Sequence, residues 1–444
     1  MKTGELGAVL RRRDFRRLYA TRLTSQLSDG VFQIALASYV FFSPERQTTA
    51  SKAAAAFAVL LLPYSIVGPF AGVFIDRWSR RQILVRAPIL RAVLVCWVAG
   101  LLVAGDDGML FYLAALLVLG VNRFFLSALS AALPHVVRRE QLVMANSLAV
   151  TSGTVIAFVG AGLGYLLRRM FGGGQAGTAL ILVSAAAIYL LAGVVATTLH
   201  RDQLGPELDR ALPQTREALG NVLRGLVDGA RHIWRRRPAA LALAAIALHR
   251  FLYGIALIVA ALLFRNYFTT DVNAGLDHFA LFLGISGTGF LAGAVITPSA
   301  ARLLGKNGWI ILLFGWTALI GLASGLPFRE APFMIFGFAL GVVSQGVKLS
   351  VDVIVQETVD DAYRGRVFAV YDMLFNATFV AAAAVAAATV PTTGRSYPVL
   401  GAVIVAYAVA AAAYWLAARR LPPVAGARAS DQLTGSGRRR PWRW

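Results

Sequence analysis

Apolar runs of roughly 20 residues recur along the whole chain, each about long enough to carry a helix across the hydrocarbon of a bilayer. They predict spans at 19–42, 51–75, 82–104, 109–132, 142–167, 176–198, 239–264, 278–301, 308–327, 331–356, 366–390 and 397–418. The intervening segments are short and polar, except for one connection over 199–238. That connection divides the pattern into six plus six. Within it Ala218, Leu219, Val222, Leu223, Leu226, Val227, Ala230, Ile233 and Trp234 recur at helical spacing, opposite Arg224, Asp228, Arg231 and Arg235. This predicts an amphipathic helix, which serves either as a plain structural linker or as a surface lying on an anionic leaflet.

The expected organisation is a basic N-terminus (1–18), a six-helix bundle (19–198), the linker (199–238), a second six-helix bundle (239–420) and a basic tail without apolar periodicity (421–444). The fold class expected is an all-α membrane protein of twelve helices. The halves look like repeats. Gly68-Pro69-Phe70-Ala71-Gly72 near the end of span two is matched by Gly289-Phe290-Leu291-Ala292-Gly293 near the end of span eight, 221 residues on. Small residues at this spacing let helices approach closely.

Composition agrees with the pattern: 58% of residues are hydrophobic and 15% charged, against about 25% charged in soluble domains. The formal net charge of +21 suggests nucleic acid at first sight. Its distribution argues against that, because the basic residues stand in small clusters between apolar runs and form no stripe or motif. With both termini inside, the outward loops carry only Arg46, Lys52, Arg168, Arg169, Arg265, Arg329 and Arg395, and most of the 43 Lys and Arg face inward. The positive-inside rule then predicts cytoplasmic termini in a cell membrane. The single cysteine, Cys96, excludes an internal disulfide and a cysteine metal site, and the five histidines are scattered. No cofactor is expected. Gly305-Lys306 lacks the rest of a nucleotide-binding loop, and no hydrolytic triad or metalloprotease motif is present, so the chain is not expected to be an enzyme.

Gly72-Val73-Phe74-Ile75-Asp76-Arg77-Trp78-Ser79-Arg80-Arg81, between spans two and three, resembles the signature loop of the major facilitator superfamily. The resemblance covers all twelve spans. It implies that this loop, through Gly72, Asp76, Arg77, Arg80 and Arg81, acts as a conformational latch against the start of span eleven, where Asp361, Arg364 and Arg366 stand. Ordinary loop salt bridges are the alternative. Phe15-Arg16-Arg17-Leu18 with Ser25-Gln26-Leu27-Ser28-Asp29-Gly30, Ala145-Asn146-Ser147-Leu148, and Gln356 with Arg364-Gly365-Arg366-Val367-Phe368 look most like the branch of macrolide-efflux and enterobactin exporters.

Ionisable residues at membrane depth cost several kcal/mol and are functional hypotheses by default. The basic ones are Arg22, Arg91, Arg123, Arg250 and Lys348, and the acids singled out are Asp29 and Asp352. All but Arg91 fall on spans one, four, seven and ten, which the resemblance makes the lining of a central cavity. Arg22, Gln26, Asp29 and Gln33 share one face of span one, within about 60°. Asp29 near mid-bilayer has three readings: reversible proton binding, a permanent ion pair with Arg123 or Arg250, or substrate binding. Cavity candidates are Gln26, Gln33, Asn122, Arg123, Arg250, Tyr253, Gln345 and Lys348, although Lys348 and Asp352 at i,i+4 suit mutual neutralisation. Arg91 has no assigned role.

The expected function is a secondary transporter, a proton-coupled exporter of a small amphiphilic molecule (drug, macrolide-like or siderophore-like) by alternating access. The alternative is a lipid-translocating or substrate-sensing protein on the same scaffold. Expected partners are the substrate, protons and a bilayer with an anionic inner leaflet, with no nucleic acid, and the protein is expected to be a monomer.

Overall fold

The computed structural model describes residues 10–42, 78–106, 108–138, 141–200, 204, 215–360 and 363–420. Expected span two (51–75), the latch residues Gly72, Asp76, Arg77 and Asp361, and the tail lie outside them. The described residues form helices and no strand: α1 (Arg13–Phe42), α2 (Arg80–Val103), α3 (Met109–Ala132), α4 (Leu142–Phe171), α5 (Gln175–Thr197), α6 (Thr215–Arg235), α7 (Arg237–Asn266), α8 (Val272–Ile320), α9 (Glu330–Thr358), α10 (Arg364–Thr389) and α11 (Tyr397–Arg419). In lipid no water satisfies a free N–H or C=O, so helices that bond their own backbone are the natural spanning element. Nine of these helices are long and apolar enough to cross a membrane. α1 falls outside that group because Thr, Ser, Gln and Asp29 interrupt its apolar run.

Spans eight and nine, placed at 278–301 and 308–327, are the two limbs of α8, the second of which continues into a π-turn at Gly321–Gly325. The limbs are separated at Gly305, whose φ of 72° is non-helical and open to glycine at little steric cost.

In the first half α1 packs on α4 and α5, and α2 packs on α3 and α5. In the second, α7 packs on α9, α10 and α11, and the limbs of α8 pack on α9 and α11. The tightest seams are made by missing side chains. A Cβ on Gly160 of α4 would sit 2.1 Å from the Leu27 carbonyl oxygen of α1. One on Gly341 of α9 would sit 1.9 Å from the Ser286 oxygen of α8. Backbone contact of this kind replaces the hydrophobic drive that lipid does not supply between helices. The outer faces remain apolar, with Val93, Phe158, Leu291 and Val295 all exposed as lipid-facing side chains must be.

The amphipathic helix expected in the linker is α6. Its Gly225 and Gly229 lie against Arg366, the His232 ring stacks on Tyr363 at 4.3 Å, and Asp360 accepts two hydrogen bonds from the neighbouring Arg236 at 2.8 and 2.7 Å. The helix is therefore docked on the start of α10. Leu223, Val227 and Trp234 remain exposed on its free side.

Candidate functional site

The polar residues of the spans sort into two groups. The first lies inside the first half. Arg91 interrupts the buried stripe Leu84, Ala87, Val95, Val98 and Leu102 of α2. Its guanidinium is wholly buried and ion-pairs with Asp29 of α1. It also donates to Ser25 Oγ at 3.2 Å, to Asn122 Oδ1 of α3 at 3.1 Å, and to the Tyr189 hydroxyl of α5, over whose ring its Cζ stands at 4.0 Å. The Tyr189 hydroxyl donates in turn to Asp29 Oδ1 at 2.8 Å. Four helices meet at one charge pair. The partner of Asp29 is thus Arg91, not Arg123 or Arg250 as the sequence suggested, and Asn122 points into the same bundle interior. The geometry makes physical sense: a charge pair out of water must have its remaining donors and acceptors met, and neighbouring hydroxyls and an amide meet them.

Gln26 accepts from Arg22 Nε at 2.9 Å and lies against Gly153 of α4, where a Cβ would collide with it. Gln33 is exposed.

The second group lies where the halves face each other. Arg123 of α3 reaches Asp372 of α10 at 3.6 Å, joining the halves near mid-bundle, with the two side chains 26% and 59% exposed. Lys348 and Asp352 pair on α9 at 2.7 Å, as their spacing suggested. Arg250 of α7 stands over the rings of Phe375 (4.0 Å) and Phe379 (4.8 Å) of α10 and Tyr253 (5.7 Å) of its own helix. Its Nε is shielded from solvent and meets no acceptor, and the Oε1 of Gln345 is likewise without a partner. Next to Arg250, His249 turns into the second half and meets the Tyr407 hydroxyl at 3.0 Å.

At the end where α4 finishes and α8 begins, Asp277 accepts from the Tyr165 hydroxyl at 2.8 Å and from Arg169 at 2.7 Å. Sequence reasoning missed both carboxylates that cross between halves. Asp277 stood at a predicted span boundary, and Asp372, although inside predicted span eleven, was not singled out among the acids at membrane depth.

Arg80 donates to the carbonyls of Ala131 (3.0 Å) and Leu204 (3.1 Å), and Arg81 to those of Leu199 (2.6 Å) and Thr197 (3.0 Å). Arg364 donates to the Gln356 carbonyl at 3.2 Å, and Arg366 lies 3.8 Å from Asp228 of α6. Among the described residues no cluster of three or more metal-ligating side chains occurs.

Two helical halves with lipid-facing exteriors, charged residues between them and ion pairs bridging the gap define a multi-pass membrane transporter, not an enzyme. The comparisons with known proteins carry this further. The family model for the Major Facilitator Superfamily matches residues 18–347. The chain belongs to that superfamily, whose members act as secondary transporters. It is 38% identical over 418 residues to an uncharacterized MFS-type transporter of Mycobacterium tuberculosis, and equally to one of Mycobacterium bovis, covering 93% of both chains in each case. Among solved structures it is similar to the nucleoside transporter NupG (TM-score 0.64, 15% identity, covering 92% of this chain and 100% of that one). It is also similar to a bacterial homolog of the lysosomal transporter Spinster in an inward-facing, unoccupied conformation (TM-score 0.62, 14% identity, 95% and 100%). At such identities these likenesses speak for the fold alone.

Proposed function

We propose that this chain is a proton-coupled exporter of a small amphiphilic molecule, working in a cell membrane as a monomer with both termini in the cytoplasm. Its place near the macrolide-efflux and enterobactin-exporter branch rests on the sequence segments quoted above. The observation that carries the transport reading is the Arg123–Asp372 pair: it crosses from one half to the other, and neither side chain is fully enclosed. A carboxylate that bridges moving bodies can exchange its counter-charge for a proton as they part, and this is the requirement for coupling. Asp29 meets it less well, because Arg91, Tyr189 and the surrounding helices enclose it within one half. Asp372 therefore takes the proton-coupling role, facing Arg123, Lys348 and Asp352.

In this reading the Asp277 contact closes the outer end, while Arg80, Arg81 and Arg366 anchor their own halves at the inner end. Gly72, Asp76, Arg77 and Asp361 complete the latch when that end shuts. The exposed Leu223, Val227 and Trp234 of α6, with Arg224, Arg231 and Arg235 alongside, rest on the anionic inner leaflet. The test is flux in proteoliposomes with and without an imposed pH gradient. Gradient-driven transport should fall to background in Asp372→Asn, and unaltered coupling in that variant would remove the assignment.

A further inference from the structure

Among the described residues Arg250 is a buried charge that no carboxylate compensates. Each acid between the halves is already taken, Asp352 by Lys348 and Asp372 by Arg123. Asp29 is spent on Arg91 inside the first half. Among the described residues Arg250 has no carboxylate and no hydrogen-bond acceptor, only the faces of Phe375, Phe379 and Tyr253. Holding a charge at membrane depth is costly, and cation–π contacts offset part of that cost without using the guanidinium donors. The aromatic faces lower that cost and leave every N–H of the guanidinium free to donate. A planar fork of unused donors beside apolar rings is suited to a carboxylate or phosphate attached to an apolar body.

The surroundings extend the argument. Arg250 lies 4.0 Å above Phe375, whose ring centre is 6.2 Å from that of Tyr371, and Lys348 Nζ is 5.9 Å from the Tyr371 ring. A row of aromatic rings on α10 therefore carries a cation at each end. Phe375 and Tyr253 are only half-buried, so part of each ring remains open to a ligand.

We infer that Arg250 is the anion-binding residue of the transport site, and that the substrate class is an amphiphilic organic anion whose apolar body lies along the half-buried rings of Tyr253 and Phe375. This rests on the transporter reading but is tested apart from it, because binding needs no flux. The source of the anion, a soluble solute or a lipid headgroup, is separated by the choice of membrane.

The experiment uses the full-length protein in nanodiscs of phosphatidylcholine, and three probes that share one ring system. They are 2-naphthylacetate, its neutral amide, and the cation 2-(2-naphthyl)ethylamine, each measured by thermostability shift and equilibrium dialysis. The carboxylate should bind about tenfold or more tightly than the amide, a difference of one charge-assisted contact. The amine should not bind above its partition into empty discs. Arg250→Gln should abolish the preference and Arg250→Lys keep part of it. Should Arg250→Gln fail to fold, the three-probe ranking on the wild-type protein still decides. If phosphatidylglycerol in the discs suppresses naphthylacetate binding in wild type, the anion held is a lipid headgroup; if not, it is a soluble one. Equal binding of all three probes, or a carboxylate preference that survives Arg250→Gln, overturns the inference. Export of neutral or cationic compounds by the same preparation would then leave the transporter reading standing.

Discussion

Replacing Asp29 by Asn separates two accounts of this residue. In the structure the carboxylate is 6% exposed and its partner Arg91 not at all, so the substitution takes the counter-charge from a fully buried guanidinium. Removing one member of a buried pair typically costs about 3–5 kcal/mol. Spread over the unfolding entropy of 444 residues, at about 2.1 cal/mol/K per residue, this lowers the midpoint by roughly 3–5 °C if the chain unfolds as one unit. Arg91→Met alone should cost a similar amount, because it leaves Asp29 charged and Asn122 without its donor. The double variant Asp29→Leu with Arg91→Met should recover much of the loss, since a buried pair replaced by apolar side chains of similar volume is often neutral. The assay is thermal unfolding of purified protein in one detergent, run as a full cycle. A coupling energy of about 2 kcal/mol or more is expected for groups in direct contact. The reasoning fails if Asp29→Asn leaves the midpoint unchanged while abolishing pH-driven flux, because Asp29 would then be a proton carrier and not a structural charge.

Other outcomes follow from single contacts. Asp277→Asn should weaken the junction between α4 and α8. With Cys96 replaced by Ser, spin labels at Met170 and Asn273 should report a new longer distance, and an identical distribution would refute the gate. Gly160→Val forces α1 and α4 apart and should cost about 1–3 kcal/mol or more by overpacking. Gly162→Ala on the same helix, with open space around it, is the control and should be silent in the same melt. Asp360→Asn removes the negative charge and one of the two acceptor oxygens that hold Arg236, so tryptic cleavage at the basic end of α6 should quicken while the spans stay protected.

The spans were legible because bilayer thickness fixes their length, and the ends of α3, α5 and α11 fall within a residue of the apolar runs that predict them. The charges were legible as anomalies but not as partners. Periodicity places Arg22, Gln26, Asp29 and Gln33 on one face of one helix, yet says nothing of which helix that face meets. A usable signal was present for Arg91, which falls on the α2 stripe that also carries Leu84, Val95 and Val98 and was therefore aimed inward. The same stripe logic separates Asn122, in line with Ala115, Val118 and Phe125, from its neighbour Arg123, about 100° around the helix and directed to the other half. Asp277 and Asp372 were missed for another reason. Asp277 stands at a span end, where a carboxylate is cheap to hydrate and hydropathy does not mark it; Asp372 lies within its helix, and the roles of both exist only once two bodies meet.

The junction at Asp277 has a further consequence. Its two donors, Tyr165 and Arg169, sit four residues apart on one face of α4, and each takes a different oxygen of the same carboxylate. A small roll or slide of α4 cannot keep one bond at full strength while surrendering the other by degrees, because the planar acceptor fixes both directions at once. Opening here should behave as a snap. Intermediate gaps would be thinly populated, and the protein would spend its time either fully shut at this mouth or well apart.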